Sequence, residues 1–175
     1  MNKTITVFGS SQPKQGEDQY KTAYELGIQL GKKGFNVCTG GFYGIMEAVS
    51  KGAIVSGVEA IGVTIDAWGL NGNKYLTREI KCETLFERIT KLTEMGDAFV
   101  ILQGGTGTLL ELAAVWELSN KKFVDHKPIL CHSTMWKQVI SIMNEQMKKE
   151  RRSTDLVKAF DTVEEIVSFI TDKLV

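Results

Sequence analysis

Runs of strand-forming residues alternate with helix-length amphipathic stretches along the whole chain. No hairpin turn separates any two runs, and clusters of glycine sit where runs end. These three observations predict an α/β fold: a doubly wound parallel sheet of six or seven strands in a three-layer α/β/α arrangement, with right-handed crossovers. In such sheets ligands bind beyond the carboxyl ends of the strands, so the residues leaving each strand are the first place to look for function.

The β-branched and aromatic run Thr4–Phe8 is the first strand, ending at Gly9, Ser10 and Ser11. After a loop over 13–16, residues 17–33 form a helix with Tyr20, Ala23, Tyr24, Gly27 and Leu30 on one stripe, stopped by Gly34. A second strand over 35–39 runs into Gly40 and Gly41, and a helix over 44–55 follows. The third strand covers 58–65. Residues 66–77, with Gly69, Gly72 and two asparagines, form the one long irregular segment; such loops in compact domains are functional or mobile as a rule. A short fourth strand lies over 79–83. Thr84 and Glu87 have the spacing of a capping box and open a helix with the apolar stripe Leu85, Ile89 and Leu92. The fifth strand, over 98–102, leads through glycines into a helix over 109–118. A sixth strand over 127–132 and a helix over 135–149 come next. A short segment near Ala159 and Phe160 precedes a last helix, opened by a second capping box at Thr162 and Glu165.

With 175 residues, 43% of them hydrophobic, residues 1–175 are expected to form a single domain with a full-sized core. Twenty-one basic residues balance 21 acidic ones, and no long run of like charge occurs, which argues against a nucleic-acid or membrane partner. The small basic cluster over 148–152, broken by Glu150, reads as a solvated helix end. Met1 is followed by a polar triplet and a strand, so no leader is expected, and no apolar stretch reaches membrane-spanning length. Cys38, Cys82 and Cys131 are odd in number and widely spaced, as half-buried reduced thiols of a cytoplasmic protein would be. His126 and His132 lack motif company as bases for a cysteine nucleophile. No metal-ligand spacing appears, so neither a metal nor a cofactor is expected.

The most informative stretch is the fifth strand and its exit. Gly104, Gly105 and Gly107 alternate with Thr106 and Thr108 before the next helix. Glycines let a ligand approach the main chain, and a helix start offers unpaired N–H groups and a positive dipole end, which together suit a phosphate. The alternative is a tight strand-to-helix turn of the kind any α/β protein contains. No Lys-Ser/Thr follows, so this is no Walker loop, and Leu110 stands where a dinucleotide fingerprint needs its third glycine.

Three exits share one rim: Gly9-Ser10-Ser11, Thr39-Gly40-Gly41 with Gly44 beyond, and residues 103–108. Arg88, four residues and about 6 Å of rise into its helix, lies near that rim. Glu111 holds the matching early position in the next helix, three after Thr108. Each has a plainer reading: Arg88 as a surface arginine paired with Glu87 or Glu94, Glu111 as a first-turn carboxylate. A carboxylate beside a phosphate loop repels the phosphate, however, and is tolerable where a sugar hydroxyl or an attacking water needs it. Tyr43 and Met46 open a rim helix and are better base contacts than Trp116, which falls at helical spacing from Leu109 and Leu112, or Trp136.

Gly40-Gly-Phe-Tyr-Gly-Ile-Met-Glu-Ala-Val-Ser-Lys-Gly52 together with Gln103-Gly-Gly-Thr-Gly-Thr-Leu-Leu-Glu111 resembles the LOG (LONELY GUY) family. These are Rossmann-like proteins often labelled lysine decarboxylase-like, whose best-studied members are cytokinin riboside 5′-monophosphate phosphoribohydrolases. The resemblance runs from the first strand to about the sixth. It implies that Arg88 and Glu111 are the catalytic pair and that residues 104–108 hold the phosphate of a small-molecule nucleotide. It also implies a homodimer with the 109–118 helix near the interface. Gln103 stands where the family has proline, and Ile89 where it has lysine. These departures favour the alternative of a non-catalytic carrier for a nucleotide or a molybdenum cofactor. A decarboxylase would need pyridoxal phosphate on a lysine, and no lysine adjoins either glycine turn.

Overall fold

A computed structural model describes residues 2–124 and 127–175, with Trp68 described by its backbone only; His126 lies outside the described residues. Seven strands, β1 (Thr4–Phe8), β2 (Asn36–Thr39), β3 (Ala60–Ile65), β4 (Arg78–Cys82), β5 (Ala98–Ile101), β6 (Ile129–His132) and β7 (Val157–Phe160), form one sheet in the order β4-β3-β2-β1-β5-β6-β7. All six pairings are parallel. The segment near Ala159 and Phe160 is thus a full edge strand. The winding reverses between β1 and β5, where Ile5 pairs with Ala98 and Phe8 with Ile101.

Among the described residues six α-helices cover the sheet: α1 (Asp18–Lys32), α2 (Ile45–Val55), α3 (Leu85–Met95), α4 (Thr106–Asn120), α5 (Thr134–Lys149) and α6 (Val163–Leu174). Strand side chains alternate between two cores, as the period of two requires. Val100 and Leu102 join α1, α2 and α6 on one face. Phe99 and Ile101 join α3, α4 and α5 on the other. No helix among the described residues is long and apolar enough to cross a membrane.

Several local expectations need correction. The fourth helix begins at Thr106, three residues before the expected start, so Thr106, Gly107 and Thr108 are its first turn. The capping box at Thr162 is complete. At Thr84 only half of one forms: the hydroxyl accepts from the Glu87 amide at 3.1 Å, but the Glu87 carboxylate reaches back to the Glu83 amide. All three cysteines are fully buried rather than half-buried, Cys38 and Cys131 in the middle of strands. On α3 the inward face is Arg88, Ile89, Leu92 and Thr93, while Leu85 is exposed.

Helices α1 and α2 cross with their backbones almost touching. A Cβ on Gly27 would lie 2.3 Å from the Val49 carbonyl oxygen, and one on Gly52 at 2.3 Å from that of Tyr24. Only glycine fits, because the obstruction is main chain on both sides. Gly52→Ala gains helix propensity of about 1 kcal/mol but forces the helices apart. We expect a net destabilisation of about 1–3 kcal/mol, read as a lower urea midpoint with an unchanged slope; an unaltered or raised midpoint would contradict the close crossing.

Candidate functional site

The exits of β1 and β5 are joined at the switch point: the Ser10 amide donates to the Gln103 carbonyl at 3.0 Å, and the Ser10 carbonyl accepts from Ile45, the first residue of α2, at 2.9 Å. A cleft of about 630 Å³ opens above them. It is lined by Gly9, Ser10, Ser11 and Gln12 after β1, and by Gly105, Thr106, Gly107 and Thr108 after β5. Phe42, Tyr43 and Met46 line it after β2, and Leu70 after β3. Because the sheet order is β3-β2-β1-β5, its lining grades from apolar to polar over three strand steps. At ordinary strand spacing that is about 14 Å.

Arg88 and Glu111 also line the cleft and meet there. The Arg88 side chain is 6% exposed and that of Glu111 12%, and Nη1 lies 3.3 Å from Oε1. Neither plainer pairing forms. Glu87 is turned to the Glu83 amide, and Glu94 is bonded to Lys91. The guanidinium sits in a socket built from several elements. Nε donates to the Val63 carbonyl at 2.7 Å, Nη2 lies 4.0 Å from the Met46 sulfur, and the central carbon lies 5.9 Å from the Phe42 ring centre. Gly40 completes it, since a Cβ there would fall 1.7 Å from Nη2.

Burial governs the electrostatics of the pair. It raises the Glu111 carboxyl from 4.5 to about 7, against a smaller downward pull from Arg88. It also lowers the Arg88 guanidinium, with Glu111 pushing the other way. Among the described residues lining the cleft, this is the one cation and the one anion, and they face each other. A bound phosphoryl group would therefore meet neutral donors. The α4 N-cap, Gly105, supplies no side-chain cap, so the first-turn amides lack an intrahelical acceptor and carry the positive dipole end.

The glycines separate by role. Gly105 and Gly107 have no heavy atom where a Cβ would go, so they leave the main chain open to the cleft. Gly104 makes room for the buried Thr108 hydroxyl, and Gly9 for Ile45. Gly41 and Gly44 take φ of 78° and 66° and are part of the turn rather than of the lining. Gln103 is exposed and faces a separate small cavity beside His132 and Ser133, away from the cleft. Trp116 is buried and Trp136 is fully enclosed, its indole N–H donating to the Leu102 carbonyl; neither reaches the cleft. Gln12, Phe42 and Leu70 escaped the sequence reading. Phe42 had a signal in its place directly after Gly41, and Leu70 as an apolar residue inside a glycine- and asparagine-rich loop.

The SLOG cluster4 family profile matches residues 2–167. A rice (Oryza sativa subsp. japonica) protein described as a probable cytokinin riboside 5′-monophosphate phosphoribohydrolase is 32% identical over 137 residues, 73% of this chain and 52% of that protein. A Mycobacterium tuberculosis protein described as a cytokinin riboside 5′-monophosphate phosphoribohydrolase is 30% identical over 65% of this chain and 62% of its own length. The chain thus spans about half to three-fifths of these relatives. An X-ray structure from a structural genomics consortium is 28% identical, with a TM-score of 0.76 over 97% of this chain and 99% of that one. The molybdenum cofactor binding protein of Rippkaea orientalis has a TM-score of 0.81 at 22% identity, over 100% of this chain and 99% of that one, a likeness of fold alone. On the match over residues 2–167, the chain belongs to the SLOG cluster4 family, a LOG-like family.

Proposed function

We propose that the chain hydrolyses the N-glycosidic bond of a purine-type nucleoside 5′-monophosphate, giving free base and ribose 5-phosphate. The observation that carries this reading is the buried Arg88–Glu111 pair between a helix N-terminus and an apolar wall in one cleft. The 5′-phosphate binds at the first-turn amides of α4, with hydroxyls of Ser10, Ser11, Thr106 and Thr108 as further donors. This places the ribose over Glu111 and the base against Phe42, Tyr43, Met46 and Leu70. Water forms a bond to C1′ as the C1′–N bond breaks, and the proton released by water ends on the base or in solvent. Glu111 accepts from the ribose hydroxyls and stabilises positive charge developing at C1′, while Arg88 holds that carboxylate in place. The names of the rice and mycobacterial relatives support the reaction class; a cytokinin riboside 5′-monophosphate is one substrate within it.

A second reading is a non-catalytic carrier of a nucleotide or a molybdenum cofactor. The favouring observation is Ile89, buried beside Arg88 where the family resemblance calls for a lysine. The neighbouring structure from Rippkaea orientalis is described as binding that cofactor. We also propose a homodimer through α4 and α5. Leu109, Leu110 and Met143 are exposed there, an apolar groove of about 420 Å³ runs between the helices, and buried Trp116 Nε1 has no hydrogen-bond partner among the described residues.

Two measurements check these assignments. Base release from AMP and related monophosphates should be seen with the wild type and fall about 10²- to 10³-fold in Glu111→Ala. In the wild type kcat/KM should drop about tenfold per unit as pH falls below about 7, where Glu111 gains its proton. No release across the panel, with ligands that stabilise the protein recovered intact, would establish the carrier instead. For the dimer, sedimentation should give twice the chain mass for the wild type and a monomer for Leu110→Asp; a monomeric wild type would remove the proposal.

A further inference from the structure

Asn73 is 5% exposed, although Asp66, Gly69 and Leu70 in the same β3–β4 segment lie in solvent. Its hydrogen bonds run in two directions. Oδ1 accepts from the Tyr75 amide at 3.0 Å and the main-chain oxygen accepts from Leu76 at 3.3 Å, which shapes the segment's own turn. Toward the cleft, the Asn73 amide donates to the Gly41 carbonyl at 2.8 Å, and Nδ2 donates to the carbonyls of Gly41 at 3.1 Å and Phe42 at 2.9 Å. The Gly41 oxygen is already satisfied by the main-chain donor. The second bond from the same residue therefore fixes direction rather than filling a vacancy.

What it fixes is the wall of the Arg88 socket. Gly40, next in the turn, is the backbone against which Nη2 rests, and the Phe42 ring lies 5.9 Å from the guanidinium carbon. We infer that Asn73 is a positioning residue: by holding the Gly41 and Phe42 carbonyls, it sets the wall that presses Arg88 toward Glu111. The inference rests on the reading of Arg88 and Glu111 as the working pair. It gives the long irregular segment a part in the site beyond carrying Leu70 to the cleft. Asn73 itself does not line the cleft, so its influence passes through the turn.

The test is a double-mutant cycle. Asn73→Asp keeps the shape and the acceptor for Tyr75 but replaces the Nδ2 donor with an oxygen facing two carbonyls. It is made in the wild type and in Arg88→Lys. A displaced catalytic pair should lower kcat by about 10²-fold. KM and the affinity for inorganic phosphate, whose cradle at 105–108 lies across the cleft, should change less than about threefold. In Arg88→Lys the same change should remove less than about a further twofold. Equal losses in both backgrounds, or an unchanged kcat per folded molecule, would make Asn73 a structural latch only and overturn the inference. Should Asn73→Asp not fold, Asn73→Ser takes its place in the cycle. If the wild type releases no base from any nucleotide, the proposed function fails. The cycle is then read by calorimetric affinity for AMP, where loss confined to the wild-type background supports the inference and equal loss refutes it.

Discussion

A buried guanidinium must find its hydrogen bonds inside the protein, and Arg88 finds them across the fold. Its Nε uses the Val63 carbonyl on β3, Nη1 uses Glu111 on α4, and Nη2 lies against Met46 on α2 and the Gly40 backbone after β2. Leaving such a charge without its partners costs several kcal/mol, so each of these elements must arrive at one point. The parallel sheet makes this possible by delivering every strand exit to one edge. Arg88 reaches it from the start of α3, which follows the edge strand β4.

The same burial decides the chemistry available. When Glu111 is ionised its charge is matched by Arg88 and the described lining of the cleft carries no net charge, so an anion bound there would be received by main-chain amides and hydroxyls. Glu111 bears the consequence. Between about pH 4.5 and 7 the folded chain retains a proton on this carboxyl that the unfolded chain has released. Its contribution to stability is therefore complete below that window and is lost as pH rises through it. Keeping a carboxylate here therefore works against the fold at neutral pH.

Much of this was legible in the residues themselves, and the failures have physical causes. Strands such as Thr4–Phe8 and the run from Ala98 announce themselves through β-branched residues and flanking glycine. Helix arithmetic placed Arg88 and Glu111 near the rim. It could not show that Arg88 turns inward, because that depends on the absent side chain of Gly40, distant in sequence. The start of α4 lies earlier than expected because Thr106, Gly107 and Thr108 have poor helix propensity; they are helical because the Gly105 carbonyl accepts from the Leu109 amide at 3.0 Å and Thr108 packs against Gly104. Asn73 looked like an ordinary loop asparagine. Its bonds to Gly41 and Phe42 join residues more than thirty positions apart, and local pattern carries no trace of them.

In the proposed binding mode one ligand lies along this cleft with its phosphate at the start of α4 and its sugar over Glu111. A crystal structure of Glu111→Gln soaked with AMP is the most direct test, since the substitution keeps the shape of the side chain. Phosphate oxygens are expected on the amides of residues 106–108, ribose hydroxyls against the side chain at 111, and the base against Phe42, Tyr43 and Leu70. A nucleotide lying the other way round, or seated outside the cleft altogether, would contradict it.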